Sequence, residues 1–229
     1  MEKQQKAYRC VIDHFKQKII DGELRPGEKL PPEREIAEHL NVSRNSVREA
    51  IRIMDMTGVI SSQQGSGNYI TCEFQKSLAE TMTMMVAMDQ IDYKQISQIR
   101  QALERLALSL AVVHATEKQI KEMEQLVKKL DQSSDDEKNV ALDKKIHFTL
   151  AQASGNVLVL DFLEACSGVI DMFIKDVRGE ILRTEDRKDQ LNQCHKKLVE
   201  ALKEKDEAKG LEALNEHFAM IDQILEKLR

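Results

Sequence analysis

The sequence predicts a mostly α protein in two parts, a small helical head with one β-hairpin and then an all-α bundle of six or seven helices. Three observations predict it. Apolar residues recur at helical spacing along nearly the whole chain. Only 3 Pro and 9 Gly interrupt 229 residues. The one strand signal, "VISSQQGSGNYI", places two short β-branched runs around Gly65, Ser66 and Gly67.

The head reads element by element. Residues 7–20 carry Val11, Ile12, Phe15, Ile19 and Ile20 on one stripe, and "DGELRPG" ends that helix with Gly and Pro. "LPPEREIAEHL" opens a short helix behind a first-turn proline. In "NVSRNSVREAIRIMDMTG", Asn41 turns the chain, Ser43 is placed to cap the next helix, and Gly58 closes it. Helix, helix, tight turn, helix and hairpin in about seventy residues make a winged helix-turn-helix. The second helix of such a unit presents its N-terminal residues to base edges. Here that end reads Ser43, Arg44, Asn45, Ser46, Val47 and Arg48. Arg44 and Arg48 share a face, and each guanidinium fork matches guanine O6 and N7. Arg34 adds a cation near the DNA backbone, and the competing reading leaves these arginines as solvated surface charges.

From Glu73 onward the helical segments are 75–88, 93–114, 116–131, 136–153, 157–178, 186–204 and 206–228. The predicted boundaries are a winged helix-turn-helix head over 1–72, a linker over 73–78 and an all-helical domain over 79–229. Residues 1–70 hold 11 Lys+Arg against 10 Asp+Glu, leaving 23 against 29 for the rest of a chain whose net charge is −5. That asymmetry has the sign expected of a DNA-reading head on an acidic body. No apolar run approaches the roughly 18 residues of a membrane span. "MEKQQKAYRC" also lacks the apolar core of a signal peptide, so the expectation is a cytoplasmic protein with no membrane partner. Cys10, Cys72, Cys166 and Cys194 form no paired motif and read as reduced thiols.

"LDKKIHFTL" sets Asp143 and His147 four apart, one above the other on a single helix face. His195 and His217 lie within the two last amphipathic segments. Three imidazoles and one carboxylate from three helices suit a borderline divalent ion, most readily zinc, with nickel and manganese as alternatives. The bland alternatives are a surface ion pair and hydrogen-bonded core histidines. His14, His39 and His114 fall outside the pattern.

"LPPEREIAEHLNVSRNSVREAIRIMDMTGVISSQQGSGNYI" resembles, without a gap, the N-terminal domain of GntR-type transcriptional regulators. The remainder resembles the all-helical, metal-binding effector (FCD) domain of the FadR branch. The resemblance implies that Arg34, Arg44 and Arg48 contact DNA, and that the wing tip Gln64, Gly65, Ser66 and Gly67 enters the minor groove. Asn45 departs from the Pro or Thr that relatives often carry. The resemblance also implies that Asp143, His147, His195 and His217 bind the metal, and that Arg100 holds an effector carboxylate beside it. Arg100 has an equally good partner in Glu104 four residues on, and Asn156, a second effector candidate, also fits as a helix cap.

The expected function is a dimeric, metal-containing, ligand-responsive regulator, taken as a repressor, of a carboxylate or sugar-acid operon. It binds a short inverted repeat of double-stranded DNA and responds to a small organic or sugar acid. The alternatives are the same regulator with a structural metal, or a metalloenzyme bundle on a DNA-binding head. No separate general base stands at useful spacing from the four candidate ligands, and catalysis would leave the head unexplained.

Overall fold

The computed structural model describes residues 2–181 and 185–227, with the side chains of 2–6, 136, 170–188, 224 and 227 outside the description. The chain divides into two compact units, Met1–Leu78 and Ala79–Arg229. Each has its own apolar core.

In the first unit, α1 (Glu2–Ile20), α2 (Glu33–Leu40) and α3 (Arg44–Met56) precede strands β1 (Ile60–Gln63) and β2 (Gly67–Ile70). Val11 and Phe15 of α1 pack with Val47, Ala50, Ile51 and Met54 of α3, and Ile60 and Ile70 close the core from the hairpin. α1 begins at Glu2, earlier than its apolar stripe, because Glu, Lys, Gln and Ala extend a helix without needing burial. The α2–α3 turn is set by Asn41 in the left-handed region, φ 50°, and by Ser43, whose Oγ accepts from the Ser46 N–H at 3.1 Å. Gly58, φ 74°, ends the α3 corner where a Cβ would lie 2.5 Å from the Glu73 carbonyl oxygen. The strands pair antiparallel with Ile60 opposite Ile70 and Gln63 opposite Gly67. Residues 28–30 fasten to the far edge of β2 through Ile70 N–H to Glu28 and Leu30 N–H to Asn68, each 2.8 Å.

The segment proposed as a linker contains little irregular chain. Glu73 N–H donates to the Gly58 carbonyl, and α4 (Phe74–Ala87) starts at once.

In the second unit the residues after α4 form α5 (Tyr93–His114), α6 (Glu117–Gln132), α7 (Asp136–Ala153), α8 (Val157–Ile181), α9 (Glu185–Glu204) and α10 (Glu207–Lys227). Asp92 with Gln95 and Thr116 with Gln119 make capping boxes that start α5 and α6. Leu108, Met123, Ile146, Leu150, Leu198, Leu202, Leu214 and Phe218 form the centre of the core. Gly210 lets α10 approach closely, since a Cβ there would meet Leu108 Cδ2 at 2.8 Å and Ala201 Cβ at 3.3 Å. This packing brings the inward faces of α5, α7, α9 and α10 together.

Candidate metal centre and nucleic-acid interface

α7 supplies Asp143 and His147, α9 His195, and α10 His217. The structure brings all four together. One ligand atom from each of the three histidines lies within 4.8 Å of the others. Asp143 Oδ1 is 3.2 Å from His195 Nε2 and 3.8 Å from His147 Nε2. The imidazoles of His147, His195 and His217 are 3, 2 and 3 % exposed, whereas the Asp143 side chain keeps 29 % exposure and forms the open edge of the cluster.

Glu104 of α5 completes the arrangement. It is fully buried; its Oε2 lies 2.5 Å from His147 Nδ1, and its Oε1 accepts from Arg100 Nε at 2.6 Å. A carboxylate on Nδ1–H fixes the tautomer that leaves the His147 Nε2 lone pair facing His195 and Asp143. Burial alone would raise the Glu104 carboxyl. The nearness and hydrogen bond of His147 and the positive Arg100 guanidinium outweigh it and hold the group at about 2. Asp143 behaves likewise: burial opposes its charge, but the hydrogen bond from His195 and the neighbouring imidazoles hold it below the usual carboxylate range. Burial, reinforced by His147 and His195, pushes His217 well below the usual histidine value and keeps it neutral.

These donors fit a divalent cation. Both nitrogens of His217 are buried with no hydrogen-bond partner among the described residues. An unsatisfied buried polar group costs about 1–3 kcal/mol, and a lone pair given to a cation removes such a penalty. Neutral imidazole nitrogen with one carboxylate is the chemistry such an ion selects.

Of the two effector candidates, Arg100 is turned to Glu104, with its guanidinium carbon 5.6 Å from the Phe218 ring centroid. Burial would lower its pKa, and Glu104 and Asp143 raise it, so it stays charged beside the cluster. Asn156 caps α8, its Oδ1 accepting from the Leu158 and Val159 N–H groups at 3.1 and 3.3 Å. No hydrogen bond among the described residues joins it to the imidazoles.

Sequence reasoning saw Glu104 only as a partner for Arg100. Its other signal is a carboxylate on the buried stripe of α5 with Ser97, Leu108 and Ala111. An ionised group on such a stripe requires partners from another helix.

In the head, Arg44, Asn45 and Arg48 are exposed at the start of α3. Ser43 serves as the cap, and Ser46 is a correction to the expected surface set. It is 3 % exposed, with its Oγ 2.9 Å from Ser43 Oγ, so it supports the turn and does not reach outward. Arg34 pairs with Glu38 at 2.8 Å and Arg48 approaches Glu33 at 3.7 Å, both on the surface. Arg44 has no ion pair among the described residues. At the wing, Gln64, Gly65 and Ser66 are exposed, and Gly65 and Gly67 take φ 75° and 118° to make the tight turn. Ser66 Oγ lies 2.7 Å from the Tyr69 hydroxyl.

Residues 7–70 match the bacterial regulatory proteins of the gntR family, and residues 95–220 match the FCD domain. The chain is 28 % identical over 210 residues to the HTH-type transcriptional regulator LutR of Bacillus subtilis (strain 168), covering 90 % of this chain and 95 % of that protein. It is 27 % identical over 222 residues to a regulatory protein of Escherichia coli (strain K12) named for the L-lactate dehydrogenase operon, covering 95 % and 85 %. Against the Uxu operon transcriptional regulator of the same strain it is 30 % identical over 160 residues, 69 % of this chain and 62 % of that one. The solved structure of Streptococcus agalactiae GntR shares the fold, with TM-score 0.67 and 23 % identity over 95 % of this chain and 99 % of that chain. Among the described residues no helix is long and apolar enough to cross a membrane. Winged head, helical bundle and both family matches agree: the chain belongs to the gntR family of bacterial transcriptional regulators, FadR subfamily with an FCD domain, and is not an enzyme.

Proposed function

We propose that this regulator is a cytoplasmic homodimer that represses a carboxylate or sugar-acid operon, and that a small organic or sugar acid bound at a metal in the helical domain changes its affinity for DNA. The observation that carries this reading is the buried three-histidine cluster with Asp143 at its open edge and Glu104 behind His147. Asp143, His147, His195 and His217 would hold the ion, most readily zinc, with nickel or manganese as alternatives. A bound divalent ion supplies positive charge and coordination sites for an anionic oxygen. Glu104 orients His147, burial keeps His217 neutral and ready to donate, and Arg100 adds positive charge beside the site. Relatives named for the L-lactate dehydrogenase and Uxu operons support the effector class. A structural metal is the second reading, favoured by the engagement of Arg100 with Glu104.

Calorimetric titration of the metal-loaded protein with hydroxy acids, uronates and citrate separates the two. At least one acid is expected to bind, to lose binding after chelation, and to shift operator affinity. No heat from any of them leaves the structural reading.

For DNA, Arg44, Arg48 and the wing tip are the proposed contacts. Arg44→Ala is expected to weaken operator binding by about 1–3 kcal/mol per half-site and to relax preference at one base position. Binding assays on single-base operator variants check this, and a uniform loss across all sequences would assign Arg44 to phosphate alone. Arg48 is expected to lose less, because it exchanges its surface contact with Glu33 for the DNA.

A further inference from the structure

The wing carries no charge of its own, for residues 59–72 contain no Asp, Glu, Lys or Arg. Ile70 turns into the core of the head, so Gly67 and Tyr69 lie on the other face of the hairpin. Tyr69 is nevertheless half-buried there. Two groups cover it. Its hydroxyl lies 2.7 Å from Ser66 Oγ at the wing tip, and Lys29 sets its Nζ 5.8 Å from the ring centroid, within reach of a cation–π contact. Lys29 stands opposite Tyr69 in an antiparallel bridge at the edge of β2, and cross-strand partners share a face. From there its stem runs past Gly67, where an added Cβ would meet Lys29 Cε at 2.7 Å and lie 3.4 Å from Nζ. Lys29 is exposed and makes no ion pair among the described residues.

We infer that Lys29 contacts DNA, pairing with a backbone phosphate at the edge of the minor groove, and that Tyr69 is the positioning residue that holds Ser66 and Lys29 for that contact. The absence of charge in the wing gives the lysine its purpose. A neutral tip gains little from a groove walled by phosphates, whereas a cation there neutralises a phosphate, releases its counterions and is drawn by the negative potential of the groove. Covering the Tyr69 ring requires only the apolar stem of Lys29, so its ammonium is left for another task. The Tyr69 hydroxyl fixes Ser66 before binding, which lowers the ordering that the tip must undergo on DNA. This inference rests on the reading above that the wing tip meets DNA.

The test uses the full chain and a duplex that the protein itself selects from random-sequence DNA, titrated by fluorescence anisotropy between about 50 and 200 mM KCl. Lys29→Gln is expected to lower the slope of log affinity against log salt by about 0.9 for each bound head, and Lys29→Arg to restore it. Tyr69→Phe keeps the ring that supports Lys29, so the slope should stay while affinity falls about 5-fold per head, the equivalent of one hydrogen bond. Combined with Ser66→Ala it should lose less than the product of the two single losses. An unchanged slope in Lys29→Gln overturns the phosphate contact. Unchanged affinity in Tyr69→Phe, or a double loss equal to the product, overturns the positioning role. Hydroxyl-radical footprinting of the parent complex separates this inference from the reading beneath it. No minor-groove protection beside the recognition helix overturns both, and protection with Lys29→Gln and Tyr69→Phe unaltered overturns this inference alone.

Discussion

Glu104→Ala is expected to destabilise the helical domain by about 3–5 kcal/mol, the cost of breaking a buried ion pair by removing one partner. Arg100 and His147 both depend on this carboxylate, and their side chains are only 13 and 4 % exposed, so neither is rescued by water. Glu104→Gln keeps the shape and an acceptor for His147 Nδ1–H but loses the charge facing Arg100. Its expected loss is smaller, about 1.5–3 kcal/mol, as for a hydrogen bond to a charged group. Urea unfolding with an unchanged dependence on denaturant measures both. A Glu104→Ala loss below about 1 kcal/mol would mean that the pair contributes little beyond filling space.

For His217 the expected result depends on metal. Both its nitrogens lack partners among the described residues, so His217→Ala removes unsatisfied polar groups along with some packing. Without metal the variant is therefore expected to melt close to wild type. With metal at about 100 times the dissociation constant, wild type gains about 2.7 kcal/mol by mass action, roughly 5–10 °C for a domain of this size. His217→Ala should gain much less. The head has a core of its own, so DNA binding should survive in the variant while the response to a carboxylate is lost. Equal metal-dependent shifts in the two proteins would make His217 a packing residue.

Much of this was legible in the sequence because it is written at short range. Apolar spacing located the helices, Gly65 and Gly67 marked the wing, and Asp143 and His147 announced a shared face by standing four apart. The convergence of His195 and His217 was legible only as a pattern of one histidine per late helix. Glu104 was half legible. Its bond to Arg100 is local, but its bond to His147 spans 43 residues and depends on how α5 packs on α7. Ser46 was misjudged because it begins the recognition helix, where polar residues face DNA. It also begins the inward stripe continued by Val47, Ala50, Ile51 and Met54, and that stripe turned it inside. The helix expected over 75–88 is α4, Phe74–Ala87, and it begins inside the segment 73–78 that the sequence also marks as the boundary between head and bundle.

Metal content tests the proposed centre most directly. Protein stripped with a chelator, reloaded with zinc, nickel or manganese in turn, desalted and assayed by plasma mass spectrometry is predicted to retain one ion per chain of at least one of these metals. The same protein carrying His147→Ala and His195→Ala together is predicted to retain none. Metal-free wild type after reloading, or full occupancy in the double variant, would contradict a metal centre at Asp143, His147, His195 and His217.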